Sequence, residues 1–289
     1  MRFLDPAVPV IVQGATGHVG QRHTLSMKGY GTKIVGGVSS RTDTEIDGVP
    51  LFRTCAEAVK ATAAKTSVLF VPPLHTLAAM QEAMSAGIST LVTLAEGIPV
   101  HDALKARRMT CDAGVTWIGG STPGLAIPGK MKLGFLPSIS LAPGKLGVMA
   151  KSGTLSYEVC HRLVSRGFGQ SIWVGVGGDS VKGMRFSDLF PAFNADAGTE
   201  AIVVIGEIGG SEEEELASTM REAEDSKPVY ALIAGASARE GVVMGHAGAM
   251  IEGHVGTVES KARALRDAGA QVFHRIQDLV NAIAADHPH

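Results

Sequence analysis

Residues 9–23, PVIVQGATGHVGQRH, decide the fold of the first half of the chain. An apolar run rich in β-branched residues ends at Gly14, and Gly17 and Gly20 follow at three-residue spacing into a helix-like segment. Strand, glycine loop and helix in this order open a doubly wound α/β sheet. The alternation repeats outward from there. KIVGGV, SVLFVP, TLVTLA and VTWIGG read as further strands, separated by helical stretches such as CAEAVKATAA, LHTLAAMQEAMSAG and HDALKARRMTCDAG. A Pro- and Gly-rich passage, STPGLAIPGKMKLGFLPSISLAPGKLG, interrupts the pattern, which restarts with KLGVMA, SIWVGVG, EAIVVIGE, KPVYALIAG and a last short strand, AQVFHR. We therefore expect two α/β domains, residues 1–125 and 126–289, with functional residues on loops beyond the carboxyl ends of the strands.

Composition narrows the class. The 289 residues are 45% hydrophobic with 36 glycines, as in a soluble α/β protein. A formal charge of −2 gives no footprint for nucleic acid or an anionic membrane. No run approaches the ~18 apolar residues of a membrane span. MRFLDPAVPVIVQG passes straight into a strand without the regions of a secretory leader, so we expect a cytoplasmic protein. Cys55, Cys111 and Cys160 are odd in number and form no C-x-x-C pattern, so they read as buried free thiols. No metal site is expected.

Five stretches carry candidate chemistry. The loop Gly14–Gly20 can offer backbone amides to a phosphate at a helix start, or can be a tight turn with no ligand. NAD-binding folds place an acidic residue at the end of the second strand, where this chain has Val38 and Ser39. Arg41 just beyond suits a phosphorylated ribose, as in coenzyme A or NADP. In MAKSGTLSYE, Ser152, Gly153 and Thr154 lead into a second helix, where they can hold a phosphoryl group or merely cap the helix. Glu207 ends the apolar strand EAIVVIGE, while the run Glu212–Glu215 opens a helix and reads as a solvated face. VVMGHAGAM, residues 242–250, sets His246 among small neighbours, and spacing alone leaves it either a nucleophile or an incidental loop histidine.

Taken in order, the glycine loop, YGTKIVGGV, EGIP, KSGTLSYE, FGQS, GVGGD, TEAIVVIGEIGG and MGHAGAM resemble the α subunit of succinyl-CoA synthetase over nearly the whole chain. The resemblance implies a Rossmann-like CoA-binding domain followed by a flavodoxin-like domain bearing a phosphohistidine. It implies an NDP-forming ligase that joins a small carboxylic acid to CoA through a phosphohistidine and an acyl phosphate. His246 would then be phosphorylated and Glu207 would orient it. Thr16, Gly17, His18 and Val19 would lie on the CoA loop, with Leu94, Ala95 and Glu96 as a second CoA contact and Tyr157 at the substrate site. The partner would be a β subunit with an ATP-grasp domain, binding ATP or GTP with Mg, in an αβ or α2β2 assembly.

The chain departs from the family where the acid would bind. GGSTPG replaces a commonly found Gly-Pro-Asn-Cys-Pro-Gly, so Ser121 and Thr122 stand for an asparagine and a cysteine. Their hydroxyls suit an extra polar group on the acid. SSRTDTEIDG replaces a Gly- and Lys-containing stretch, and Arg41 takes the place of the lysine; REGVV stands where basic residues are common. Succinate or a related short polar acid is therefore expected, with a malate–CoA ligase or another substituted-acid ligase as the alternative. An NADP-dependent dehydrogenase would leave GEIGG and GHAGA unexplained, and the retained His246, Glu207 and Ser152-Gly153-Thr154 count against a non-catalytic CoA-binding protein.

Overall fold

The computed structural model describes residues 5–42, 46–235, 246, 248–249 and 256–287. The chain divides into two compact units: Met1–Leu136 with Val181–Met184, and Pro137–Ser180 with Arg185–His289. In the first, parallel strands β1 (Val10–Gln13), β2 (Ile34–Val38), β3 (Leu51–Phe52), β4 (Thr66–Leu69), β5 (Thr90–Thr93) and β6 (Thr116–Ile118) lie in the order β3-β2-β1-β4-β5-β6. This is the Rossmann order, reversing direction between β1 and β4. Helices α1 (His18–Gly29), α2 (Cys55–Thr62), α3 (Thr76–Ser85) and α4 (Val100–Asp112) connect the strands. Every residue of β1, β4 and β5 is buried, which is why these strands read as continuous runs and not as alternations. Ile11, Leu69, Met80, Leu91 and Trp117 belong to the core they form with the helices.

The Pro- and Gly-rich passage contains an antiparallel hairpin that the sequence did not suggest, β7 (Gly124–Ile127) and β8 (Met131–Gly134). The boundary expected at residues 125/126 falls inside β7, and the compact unit runs on to Leu136. The hairpin is tied to the first unit by Thr32, whose hydroxyl donates to the Lys132 carbonyl at 2.7 Å and accepts the Lys132 N–H at 3.0 Å.

In the second unit, β9 (Pro143–Ala150), β10 (Gln170–Gly175), β11 (Ala201–Glu207), β12 (Val229–Ala234) and β13 (Gln271–Phe273) run parallel in the order β13-β12-β11-β9-β10. This is the flavodoxin order, with its switch point between β9 and β11. Helices α5 (Gly153–Val164), α6 (Phe186–Ala195), α7 (Glu212–Glu222), α8 (Val258–Asp267) and α9 (Ile276–Asp286) complete it. Trp173, Phe186, Phe190 and Phe193 are among the largest fully buried side chains. Both sheets agree with the expected fold class. Lys151 and Ser152 follow β9 and Glu207 ends β11, so the switch point collects them.

One expectation about the thiols needs correcting. Cys55 and Cys160 are buried, and burial first of all pushes both thiols up to about 12, but Cys111 is exposed. The buried stripe of α4 is Ala103, Ala106 and Thr110, and the next residue turns away from it. Among the described residues no helix is long and apolar enough to cross a membrane, and no His/Cys/Asp/Glu group could hold a metal ion.

The glycine loop supplies a test of the fold. Gly20 lies inside α1, where alanine would ordinarily be favoured by ~1 kcal/mol. A β-carbon there would sit 2.1 Å from the Gly14 carbonyl oxygen, a backbone atom that cannot swing aside. Gly20→Ala should therefore destabilise by roughly 1–3 kcal/mol, the usual range for overpacking, read as a lower urea midpoint. A stabilised variant would show that the loop can open.

Candidate functional site

The strand β11 delivers Glu207 as its last residue, 8% exposed. His246 Nδ1 lies 2.9 Å from each of its carboxylate oxygens. A carboxylate only accepts, so Nδ1 carries the hydrogen and, in the neutral ring, Nε2 is the unprotonated nitrogen. The imidazole packs on Gly178, where a β-carbon would come within 2.4 Å of His246 Cγ. The backbone follows suit: the Gly248 N–H donates to the Gly178 carbonyl at 3.2 Å, and the Ala249 N–H to the His246 carbonyl at 3.0 Å. An oriented neutral imidazole beside an anion is equipped as a nucleophile whose positive product is stabilised. His246 and Glu207 are therefore brought together as expected.

Behind Glu207 lies a buried charge cluster. Glu213 and Lys261 are both 0% exposed, and Lys151 is 5% exposed. Lys151 Nζ lies 2.9 Å from Glu213 Oε1. Lys261 Nζ pairs with Glu213 Oε2, with Glu214 Oε2 at 3.1 Å and with the Gly210 carbonyl at 2.9 Å, which uses all three ammonium donors. The expectation of a solvated acidic face is thus corrected. Glu212 and Glu213 continue the inward stripe of Leu216, Ala217 and Met220, and only Glu214 and Glu215 turn outward. Burial raises the Glu213 pKa, but Lys151 and Lys261 together outweigh it and hold the carboxyl well below its ordinary value. Burial likewise lowers that of Lys151, and Glu213, Glu212 and Glu207 more than offset this.

Ser152 is the N-cap of α5, its hydroxyl accepting the Leu155 N–H at 3.4 Å. Capping is therefore realised, and exposed Thr154 remains available at the same helix start. Tyr157 lies one turn further on, half-buried near Trp173 (ring centroids 6.4 Å apart), with burial pushing its phenol up to about 12. It stays protonated.

The first unit gathers the remaining residues. No side chain caps the start of α1 at Gly17, and no acidic residue occupies its first turn, so the positive end of the helix dipole is not offset there, and Gly17, His18 and Val19 are exposed. The Thr16 and Ser39 hydroxyls are 2.5 Å apart, and the Arg41 N–H donates to Ser39 Oγ at 3.1 Å, so the ends of β1 and β2 converge. Leu94, Ala95 and Glu96 follow β5, and the Ser121 N–H donates to the Ala95 carbonyl at 2.8 Å. The Thr122 side chain is buried and its hydroxyl accepts the Gly124 N–H at 2.9 Å, so Ser121 is the more accessible of the two.

Comparison with known proteins puts these two sets in context. A family model described as a CoA binding domain matches residues 6–97, and one described as CoA-ligase matches residues 149–271. The chain is 45% identical to the ADP-forming succinate–CoA ligase subunit alpha 2 of Archaeoglobus fulgidus, over 98% of either chain. The chain belongs to the succinate–CoA ligase α-subunit family. A subunit of an ADP-forming sulfoacetate–CoA ligase from Bilophila wadsworthia is 41% identical over 96% of both chains. Among solved structures, Methanosaeta concilii ATP citrate lyase in complex with (3S)-citryl-CoA shares the fold with a TM-score of 0.88 at 23% identity. The match covers 97% of this chain and 50% of that one, so the chain spans about half the length of that structure.

The structure brings to this site residues that the sequence pattern did not mark. Gly178, Lys151, Glu213 and Lys261 were not singled out. For Lys261 a signal was there: Val258, Lys261, Ala262 and Leu265 recur at core spacing along α8, which puts a lysine on the apolar face. The buried pairs also set an acid limit. A carboxyl held below its unfolded value of about 4.3 contributes stability that is present above that pH and lost as pH falls through its folded value. Glu213→Gln should cost about 3–5 kcal/mol at pH 7, because it leaves buried ammonium groups short of a counter-charge. The gap to the unmodified protein should narrow as pH falls below about 4, measured by urea unfolding across pH. A gap independent of pH would mean that Glu213 is not ionised.

Proposed function

We propose that this chain is the α subunit of an NDP-forming acid–CoA ligase in which His246 carries the phosphoryl group. The observation that carries this reading is the pairing of His246 Nδ1 with the Glu207 carboxylate at 2.9 Å. Nε2 attacks the γ-phosphorus of ATP or GTP, the bond to the departing nucleoside diphosphate breaks, and Glu207 offsets the charge gained by the ring. The acid's carboxylate oxygen then takes the phosphoryl group from Nε2, leaving the imidazole neutral again. The start of α5, with Ser152, Gly153 and Thr154, is suited to hold the phosphoryl group in transit. CoA supplies the thiol that displaces phosphate and closes the thioester. Its phosphates suit the uncapped start of α1 at Gly17, His18 and Val19 and the Arg41 guanidinium, with Thr16 and Leu94–Glu96 beside them.

The nucleotide and Mg belong, in this reading, to a β subunit with an ATP-grasp domain, in an αβ or α2β2 assembly. Three free thiols suit a reducing cytoplasm. His246→Asn should abolish acid-labile phosphate incorporation and ligase turnover in the complex, while leaving CoA affinity of the α chain within about twofold, because the CoA loop lies in another unit. Intact mass and calorimetry measure the two effects. Phosphate uptake by the His246→Asn protein would end this reading.

For the acid we propose succinate or a related short polar acid, with a substituted acid such as malate as the second reading. Ser121 and Thr122 support the second reading, and the sulfoacetate ligase relative shows that an acid other than succinate is named within the family. A hydrogen-bonding group left without its partner costs roughly 1–3 kcal/mol, or about ten- to a hundredfold in relative kcat/KM. Restoring Asn and Cys at positions 121 and 122 should shift preference toward succinate across a panel of succinate, malate, citrate and a sulfonated acid. An unchanged ranking would place the selection in the β subunit.

A further inference from the structure

The buried cluster behind Glu207 does more than fill space. The β9 ladder along β11 stops at Ile205 opposite Ala150, two residues short of Glu207. β12 still accompanies β11 as far as Glu207, but on the β9 side the ladder has ended, and the Glu207 N–H donates to Glu213 Oε1 at 3.1 Å. The approach is close enough that a β-carbon at Gly206 would lie 2.5 Å from the same oxygen. Glu213 cannot drift, because Lys151 grips it from the end of β9 and Lys261 from α8. Lys261 also holds the Gly210 carbonyl, and the Gly209 N–H donates to the Gly256 carbonyl at 2.9 Å, so the turn that follows Glu207 is held from both sides.

Stability does not account for such a cluster. Replacing buried ion pairs by apolar side chains of similar volume is often neutral or stabilising. What a charged acceptor adds is a fixed direction for one backbone N–H. We propose that Glu213 is a positioning residue: clamped between Lys151 and Lys261, it fixes the Glu207 backbone and so aims the Glu207 carboxylate at His246 Nδ1. The proposal rests on the phosphohistidine reading for its consequence in turnover, but not for its geometry.

The test uses Glu213→Asp, which keeps the charge for both lysines and withdraws the acceptor from the Glu207 N–H. In the full chain labelled with ¹⁵N-histidine, the ring nitrogens of His246 are identified by their loss in His246→Asn. The unmodified protein should show hydrogen on Nδ1, and Glu213→Asp should show mixed tautomers, as should Glu207→Ala. In the complex with its β subunit, phosphate uptake from labelled ATP should slow by about 10- to 100-fold with an unchanged KM for ATP. The double variant Glu207→Ala, Glu213→Asp should be no slower than Glu207→Ala alone, since one residue acts through the other. Should Glu213→Asp not fold, Gly206→Ala, whose β-carbon would lie 2.5 Å from Glu213 Oε1 and so pushes that oxygen off the Glu207 N–H, must move the tautomer and the rate in the same direction. An unchanged tautomer and rate, or losses that multiply in the double variant, would overturn the proposal. If the unmodified complex takes up no phosphate but the tautomer still shifts, the positioning role stands and the phosphohistidine reading falls.

Discussion

The second unit is organised around one carboxylate that never meets water. Glu213 is fully buried, and it is tolerable there only because two ammonium groups from different elements neutralise it. Lys151 comes from the end of β9 and Lys261 from α8, so the pairing ties together the switch point, the start of α7 and the helix that follows. Its remaining acceptor capacity goes to the Glu207 backbone. The geometry of the His246–Glu207 pair is thus built on electrostatics one layer beneath it.

Small residues do the complementary work. Gly178 lets the imidazole lie flat against the backbone, and Gly206 lets the Glu213 carboxylate approach the strand end. In the first unit, Gly20 lets α1 start hard against the Gly14 carbonyl, leaving a helix start with no capping side chain. In each case a missing β-carbon admits a polar group at a distance that an alanine would forbid. These three glycines serve close approach, whereas others such as Gly87, Gly114 and Gly269 stand at positive φ where the chain turns.

The two sheets also divide the work in a way their topology allows. A Rossmann order in one unit and a flavodoxin order in the other each leave a crevice at a reversal of strand order. The CoA-loop candidates cluster past β1, β2 and β5, and the phosphoryl-carrier candidates past β9 and β11. Family membership carries the ligase class. In the loop proposed to meet the acid, Thr122 has its hydroxyl engaged by the Gly124 N–H, whereas Ser121 is the more accessible of the two.

Apart from the two-residue edge strand β3, both parallel sheets were legible in the sequence because buried parallel strands are written as unbroken apolar runs, and the glycine spacing after β1 marks a helix start. The motif order carried the family, and with it the roles proposed for His246 and Glu207. The hairpin β7–β8 was not legible: Pro and Gly read as linker, and strand pairing between short segments is decided by what each backbone finds opposite it. Nor was the inward turn of Glu212 and Glu213, since four consecutive glutamates look alike until the helix is docked. Local pattern sets which elements form, but whether a charge is solvated or buried depends on partners far away in the chain. Lys151 and Glu213 are 62 residues apart, and only the folded sheet brings them together.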